Sequence, residues 1–318
     1  MAYSGNPQDY SVAVIYGGHS GEREVSLRSG AACAEALEGL GFKVELIDPS
    51  EKEGLIRLIE GTFDVAFLAL HGRGGEDGTI QGFLETIGIP YTGSGIFASA
   101  TAINKTLSKD AYRLAGLRVA PSCPVAVNDV FDDDDYAEMI DMCGIPCVVK
   151  PATEGSSLGM TIVRQAEDLP AAITHALSVD DEALVEGFVK GTELTVAVMG
   201  NEIIEAFPVI QIVPTEDEFY NYHAKYAAGG SRHLCPAPLP EDVAEQAQDI
   251  AIAAHAVLGC KGISRTDIIL DEENQCWVLE TNTLPGMTGT SLVPDAARAI
   301  GIEFPQLCEK LIEMALED

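Results

Sequence analysis

Residues 265–282 read Arg-Thr-Asp-Ile-Ile-Leu, a polar turn that begins Asp271-Glu-Glu-Asn274, and then Cys-Trp-Val-Leu-Glu-Thr-Asn. Two short apolar runs about a polar turn predict a β-hairpin. Side chains alternate along a strand, so the pairing decides which of them meet. Glu280 and Asn282 share one face, and Asp267 falls roughly opposite them on the partner strand. Two carboxylates and an amide oxygen then converge beside the guanidinium of Arg265. Clustered oxygen donors suit a hard divalent cation, and Mg²⁺ is usually held by one or two carboxylates plus substrate phosphates. On these residues alone, a solvated hairpin with scattered acids reads equally well.

Upstream, apolar strands alternate with helices. Ser11–Tyr16 reads as a buried parallel strand ending in Gly17-Gly-His-Ser-Gly21, followed by a helix over about 25–40 and strands at 42–47 and 64–70. The last of these ends in His71-Gly-Arg-Gly-Gly-Glu-Asp-Gly78. Such alternation gives an α/β sheet, and ligands in these sheets sit beyond the carboxyl ends of the strands, where both glycine loops fall. A second block begins near Ser99. It holds a helix with Lys105 and Lys109, strands at 147–150, 160–163 and 183–189, and the loop Ala152-Thr-Glu-Gly-Ser-Ser-Leu-Gly159. A third block follows from about Glu193, with a long helix over 241–258, the hairpin and a terminal helix. The division is 1–98, 99–190 and 191–318.

Composition bounds the function. The chain has 318 residues, 47% of them hydrophobic, which is enough for two or three domains with a large core. Its net charge of −31, from 19 Lys+Arg against 50 Asp+Glu, argues against nucleic acid or an anionic membrane as partner. No apolar run has membrane-spanning length, and the first residues lack the basic and apolar regions of a signal peptide, so the expected location is the cytoplasm. The eight cysteines read as buried thiols rather than zinc ligands or disulfides. The acidic run after Phe131 reads as a solvated helix start.

Single motifs carry less. Gly17-Gly18 to Gly21 lacks the Gly-x-Gly-x-x-Gly spacing of a dinucleotide fold. Glu22 can serve the helix dipole or a ligand. His71 lies in a glycine loop with no apolar face to explain it, which favours function. Lys150 ends an apolar strand, where an ammonium is costly without an anion, and a bound phosphate would satisfy it. The glycine-serine loop that follows offers N–H and O–H groups for the same purpose. No Walker A loop is present.

Taken together, these motifs resemble the ATP-grasp enzymes, and among them the D-alanine–D-alanine ligase family, from about Val12 to Ile302. The resemblance rests on Gly-Gly-His-Ser-Gly-Glu-Arg-Glu-Val-Ser (17–26), Leu-His-Gly-Arg-Gly-Gly-Glu-Asp-Gly (70–78), Lys-Pro-Ala-Thr-Glu-Gly-Ser-Ser-Leu-Gly (150–159), Phe-Tyr-Asn-Tyr-His-Ala-Lys-Tyr (219–226) and Glu-Thr-Asn-Thr-Leu-Pro-Gly-Met-Thr (280–288). It implies a mixed α/β, three-domain ATP-grasp architecture with an N-terminal parallel-sheet domain. The implied reaction phosphorylates a first D-alanine with ATP and attacks the acyl phosphate with the amine of a second, for peptidoglycan synthesis. Lys105, Lys150 and Lys225 would hold phosphates. Glu186, Phe188, Val189 and Glu193 would hold the adenosine. Asp267, Glu280 and Asn282 would bind two Mg²⁺ or Mn²⁺ ions. Glu22, held by Ser156 and Tyr226, would bind the first ammonium, with His71 lining that subsite. Arg265 and the Gly286 N–H would stabilise the oxyanion, and Ser291 with the Leu292 N–H would take the second carboxylate. A homodimer is expected.

Asn221 and His223 replace acids often seen before Ala-Lys-Tyr. Relatives that form an ester place a histidine in this loop but lack Ala-Lys-Tyr, so the amide product is expected here. The alternatives are a D-alanyl-D-lactate or D-alanyl-D-serine ligase of the same fold, or a non-catalytic nucleotide-binding protein. A non-catalytic protein would be expected to have lost a metal ligand or the oxyanion arginine.

Overall fold

The computed structural model describes residues 3–155, 158–214, 231–289 and 291–317. A first sheet is parallel. It contains β1 (Ser11–Ile15), followed by α1 (Arg23–Leu40), β2 (Lys43–Ile47), α2 (Lys52–Glu60) and β3 (Val65–Leu68), in the order β2-β1-β3. Central β1 buries Val12, Ala13, Val14 and Ile15 completely. A strand covered on both faces needs a continuous apolar run, which is what Val-Ala-Val-Ile supplies. Three helices follow: α3 (Thr79–Ile87), α4 (Ile96–Ile103) and α5 (Lys105–Leu114).

The second sheet is antiparallel, in the order β4-β7-β5-β6. Its strands are β4 (Ser122–Ala126), β5 (Cys147–Pro151), β6 (Thr161–Val163) and β7 (Glu182–Gly187), with α6 (Asp133–Cys143) and α7 (Leu169–Leu177) packed against them. The acidic run opens α6 as expected. Asp132 accepts from the N–H groups of Asp134 and Asp135, while Asp135 accepts from the N–H of Asp132. This reciprocal cap satisfies N–H groups that the first turn leaves without partners.

A third sheet holds β8 (Thr192–Met199), β9 (Glu205–Ala206), β10 (Ile210–Pro214), β11 (Ser231–Leu234), β12 (Ile263–Leu270) and β13 (Cys276–Asn282), in the order β11-β10-β8-β12-β13 with β9 on β8. Helices α8 (Glu241–Leu258), α9 (Leu292–Ala299) and α10 (Phe304–Ala315) are the remaining helices among the described residues. No helix among the described residues is long and apolar enough to cross a membrane. All eight cysteines are free thiols; Cys123 and Cys235 are half-buried and the others buried.

The cores are shared unequally. One cluster joins β1, β3 and α1 to β8, β10, α9 and α10. Another joins α4 and α5 to α8 and β13 through Ala98, Tyr112, Leu258 and Val278. The second sheet instead has a core drawn only from residues 123–185. Helix α5 therefore packs with the third sheet, although the sequence reading groups it with the second. Tyr112 fixes it there, donating its hydroxyl hydrogen to Thr281 Oγ1 at 2.7 Å.

Candidate functional site

Two cavities meet at Gly155 and Glu280. The smaller, of about 250 Å³, lies between the loops after β1 and β3 and the loop after β13. The larger, of about 870 Å³, is a cleft between the second and third sheets. The predicted residues that the structure describes all line one or the other. Ser156, Lys225 and Tyr226 lie outside the described residues, as do Asn221 and His223.

In the small cavity, Glu22 stands at the start of α1 without capping it through its side chain, and its carboxylate enters between two glycines. A Cβ on Gly72 would stand 3.0 Å from Glu22 Oε2, and one on Gly155 would stand 2.9 Å from the same atom. Loops from two different sheets thus close on one carboxylate to a distance that a methyl group would obstruct. The first glycine turn has another task. Gly18 donates its N–H to Asp48 Oδ1 at 3.1 Å, and its carbonyl accepts from Arg23 at 2.7 Å. Burial would raise the Asp48 carboxyl, but hydrogen bonds from Arg23, Ser50 and Gly18 hold it well below the usual carboxylate range. This turn braces the start of α1 and so aims Glu22.

His71 is buried, contrary to its reading as a histidine with no packing reason. Its Nδ1 is 3.0 Å from the Leu284 carbonyl, which can only accept, so Nδ1 carries the hydrogen. Its Nε2 then accepts from Ser29 Oγ at 3.1 Å. Burial pushes the imidazole pKa down and Arg265 adds to this, against Glu22 and the Leu284 bond, so the ring is neutral at pH 7. His71 lines the cavity as predicted, but both nitrogens are committed, Nδ1 to the loop that carries Gly286 and Nε2 to Ser29 on α1.

Sequence reasoning missed Glu76 beside it. Glu76 accepts from the N–H groups of Gly72 (2.7 Å) and Leu284 (3.4 Å). Burial, with Glu22 adding, pushes its carboxyl up to about 8 against those two bonds. The only sequence signal was an acid between glycines. Arg28 and His233 also line this cavity and carried no signal.

The opposite wall is the hairpin. Its register pairs Asp267 with Glu280, as the alternation predicted, and Arg265 with Asn282. A bulge between Asp267 and Ile268 leaves Leu279 as the extra residue, so Leu279 and Glu280 both face the cleft. Arg265 donates from Nε and Nη2 to the two oxygens of Asp267 at 2.9 and 2.8 Å. Thr195 donates to Asp267 Oδ1 at 2.6 Å, and Asn282 Nδ2 lies 3.3 Å from Oδ2. Gly286 packs so closely that a Cβ would stand 2.9 Å from Ser291 Oγ. Ser291 caps α9, accepts from the Thr288 N–H at 3.0 Å, and brings the N-terminal N–H groups of that helix, Leu292 among them, to the cavity edge. A helix start offers oriented N–H groups to a carboxylate.

In the cleft, Lys105 donates to the Glu154 carbonyl at 2.8 Å and lies 3.7 Å from Glu280. Lys150 sits within β5 and has an anion already: Glu186, at 2.5 Å. Its expected phosphate partner is thus preceded by a protein carboxylate. Burial depresses the Lys150 ammonium, but Glu186 and Glu280 raise it above its ordinary value. Phe188, Val189 and Glu193 line the cleft, as do the apolar side chains of Val148, Met160 and Ile162. Apolar walls with few placed charges describe a site for a flat organic group attached to anions.

Asp267, Glu280 and Asn282 offer oxygen donors only, the set a hard divalent cation takes. No cluster of three or more His, Cys, Asp or Glu with metal-holding geometry occurs among the described residues. The hairpin thus suits an ion that completes its shell with phosphate oxygens.

Comparison with known proteins adds a separate line. Residues 112–313 match the family model described as "D-ala D-ala ligase C-terminus", and residues 52–94 match "D-ala D-ala ligase N-terminus". A D-alanine--D-alanine ligase of Syntrophobacter fumaroxidans is 48% identical over 309 residues, covering 97% of this chain and 98% of that protein. One from an Anaeromyxobacter species (strain Fw109-5) is also 48% identical, covering 96% of each. Among solved structures, a Bacillus anthracis D-alanine--D-alanine ligase complexed with ATP aligns with a TM-score of 0.84 at 30% identity, over 96% of this chain and 97% of that one. The VanG D-Ala:D-Ser ligase of Enterococcus faecalis aligns with the same score and identity, over 96% of this chain and 99% of that one.

Proposed function

The chain belongs to the D-alanine–D-alanine ligase family, and on that premise we propose how its own residues carry the reaction. The protein is an ATP-dependent ligase that joins two D-alanines for peptidoglycan synthesis. ATP gives its γ-phosphoryl group to a carboxylate oxygen of the first D-alanine, leaving ADP and an acyl phosphate. The amine of the second D-alanine attacks the acyl carbon and loses a proton, and phosphate departs as the amide forms. The observation that supports this assignment of roles is the junction of the two cavities at Gly155 and Glu280. A phosphate chain in the cleft can there meet a carboxylate in the small cavity.

Lys105 and Lys150 hold the phosphates as point charges. Glu186, Phe188, Val189 and Glu193 hold the adenosine. Glu22 receives the ammonium of the first D-alanine. Arg265, fixed by Asp267, and the Gly286 N–H stabilise the oxyanion of the tetrahedral intermediate. Ser291 and the Leu292 N–H receive the second carboxylate. Asp267, Glu280 and Asn282 would hold one or two Mg²⁺ or Mn²⁺ ions, whose charge offsets that developing on the phosphoryl oxygens. Ser156, Tyr226 and Lys225 keep the roles the resemblance implies. A cytoplasmic homodimer with domains 1–98, 99–190 and 191–318 completes the reading, which rests there on family likeness.

The test is phosphate release from ATP by the purified protein, with D-alanine, D-serine and D-lactate competing as second substrate. D-Alanine-dependent release and a D-alanyl-D-alanine product are expected. Ester as the main product near neutral pH would sink the amide reading. Asp267→Ala should abolish turnover while the fold persists, and full activity at saturating metal would remove that residue from the metal site.

A further inference from the structure

Lys109 is a buried cation to which the mechanism above gives no task. It lies one turn beyond Lys105 on α5, is fully buried, and its ammonium contacts Glu186 Oε1. Lys150 holds Glu186 Oε2 at 2.5 Å. One carboxylate thus carries two ammonium partners. Burial lowers the Lys109 pKa, with Glu186 opposing. Burial would raise the Glu186 pKa, but the two lysines bring it below its ordinary value, so it is ionised at neutral pH. A buried anion needs one counter-ion, and the second requires an explanation.

The two ammonium groups differ in where they face. Lys150 and Glu186 line the cleft, and Lys109 does not. Lys150 and Glu186 stand on neighbouring strands of the second sheet, β5 and β7. Lys109 reaches Glu186 from the other side, on the helix that Tyr112 pins to β13. The front cation can turn toward a ligand, and the rear one is held in place by the core around it.

We propose that Lys109 is a positioning residue that keeps Glu186 neutralised while Lys150 turns to a nucleotide phosphate. The inference rests on the reading of the cleft as the ATP site. With Lys109 behind it, Glu186 gives up its front partner without becoming a bare buried charge, so every charge stays paired through the exchange. Without Lys109, Lys150 is the remaining counter-ion of Glu186, and its transfer to phosphate strands a buried carboxylate. The cost then falls on ligands that carry phosphate and spares those that do not.

The test is a binding cycle on the full chain, with ATP and adenosine as ligands. Lys109→Met should weaken ATP binding by about a hundredfold or more, the lower end of what stranding a buried charge costs. Adenosine binding should hold within about twofold. In a Glu186→Gln background, where no carboxylate needs a partner, the same Lys109→Met change should alter ATP binding by less than about twofold. A purely structural role would weaken both ligands and give the same loss in both backgrounds. That result, or unchanged ATP affinity in a folded Lys109→Met protein, overturns the proposal. If Lys109→Met does not fold, Lys109→Gln, which keeps an N–H donor without the charge, replaces it in the cycle. Lys150→Met reports separately on the reading beneath: if it leaves ATP affinity unchanged, that lysine does not hold phosphate and the exchange falls with it.

Discussion

The two cavities differ in how their walls are joined. The small cavity sits where the first and third sheets share apolar cores: Leu284 packs with Ile15 and Leu68, and Met287 and Leu292 pack with Val14 and Leu37. The cleft separates the third sheet from a sheet whose core keeps to itself. Its walls are tied instead by charges, Lys109 to Glu186 and Lys105 to the Glu154 carbonyl. Arg73, on the loop after β3, adds a tie from the first sheet, 3.6 Å from Glu154 and 3.7 Å from Asp180. A boundary inside a shared core opens only with that core, whereas one crossed mainly by polar contacts opens at lower cost. The small cavity is therefore built to a fixed shape, and the cleft is built to open, which is what the proposed roles of amino-acid site and nucleotide site require.

The largest expected effect falls on the fixed side. Arg265→Ala should lower kcat by about 10²–10³, the cost of one oxyanion donor, with little change in KM for ATP. Steady-state kinetics with each substrate varied would show it. A loss confined to KM for ATP would assign the guanidinium to the cleft and blur the contrast between the two cavities.

Glu76 tests whether the fixed wall is dry. Its carboxyl rises from an ordinary 4.5 to about 8 on folding. Between those values the native state keeps a proton that the unfolded chain has released. The associated stability is present below about 4.5 and lost as pH rises through about 8, an effect on the order of a few kcal/mol. Glu76→Gln should flatten the loss. Urea midpoints measured across that range would reveal it, and parallel curves for the two proteins would mean that water reaches the carboxyl.

Gly72→Ala sharpens the comparison more narrowly. Its Cβ would lie 3.0 Å from the Glu22 carboxylate, at a φ of +66° that favours glycine. KM for the first D-alanine should rise about tenfold, or roughly 1.4 kcal/mol, with KM for ATP unchanged. Equal losses for both substrates would mean the two sides move as one.

The smallest effect belongs to the movable side. Arg73 is 62% exposed, and pairs of that kind contribute about 0–1 kcal/mol. Arg73→Ala should shift KM for ATP by less than about fivefold, and the difference should vanish in high salt. A larger, salt-independent change would make the Arg73 contact part of a rigid joint.

Much of this site was legible from local pattern. Alternation across a polar turn placed Asp267 against Glu280, and β-strands ending in glycine runs located the loops around Glu22 and His71. The sequence also placed Lys105 and Lys109 together on one helix. Glu76 is not legible in the sequence, because an acid beside glycines reads as exposed until the packing around it is known. His71 drew notice for the wrong reason, since its partner Leu284 lies 213 positions away.

What the sequence alone determined was therefore pairing and periodicity: which strands form, which residues share a face, and where chain reversals fall. These depend on neighbours a few positions apart and on turn chemistry, so they survive without knowledge of the whole. Tertiary structure alone decided the charge states and contacts. It turned Leu279 into the cleft through a bulge, set Glu186 between lysines from two different layers, and half-buried Glu76 near Glu22, which pushes its carboxyl up to about 8. Desolvation and ion pairing depend on what lies within a few ångströms in space, and the residues that supply it here are scattered across the chain.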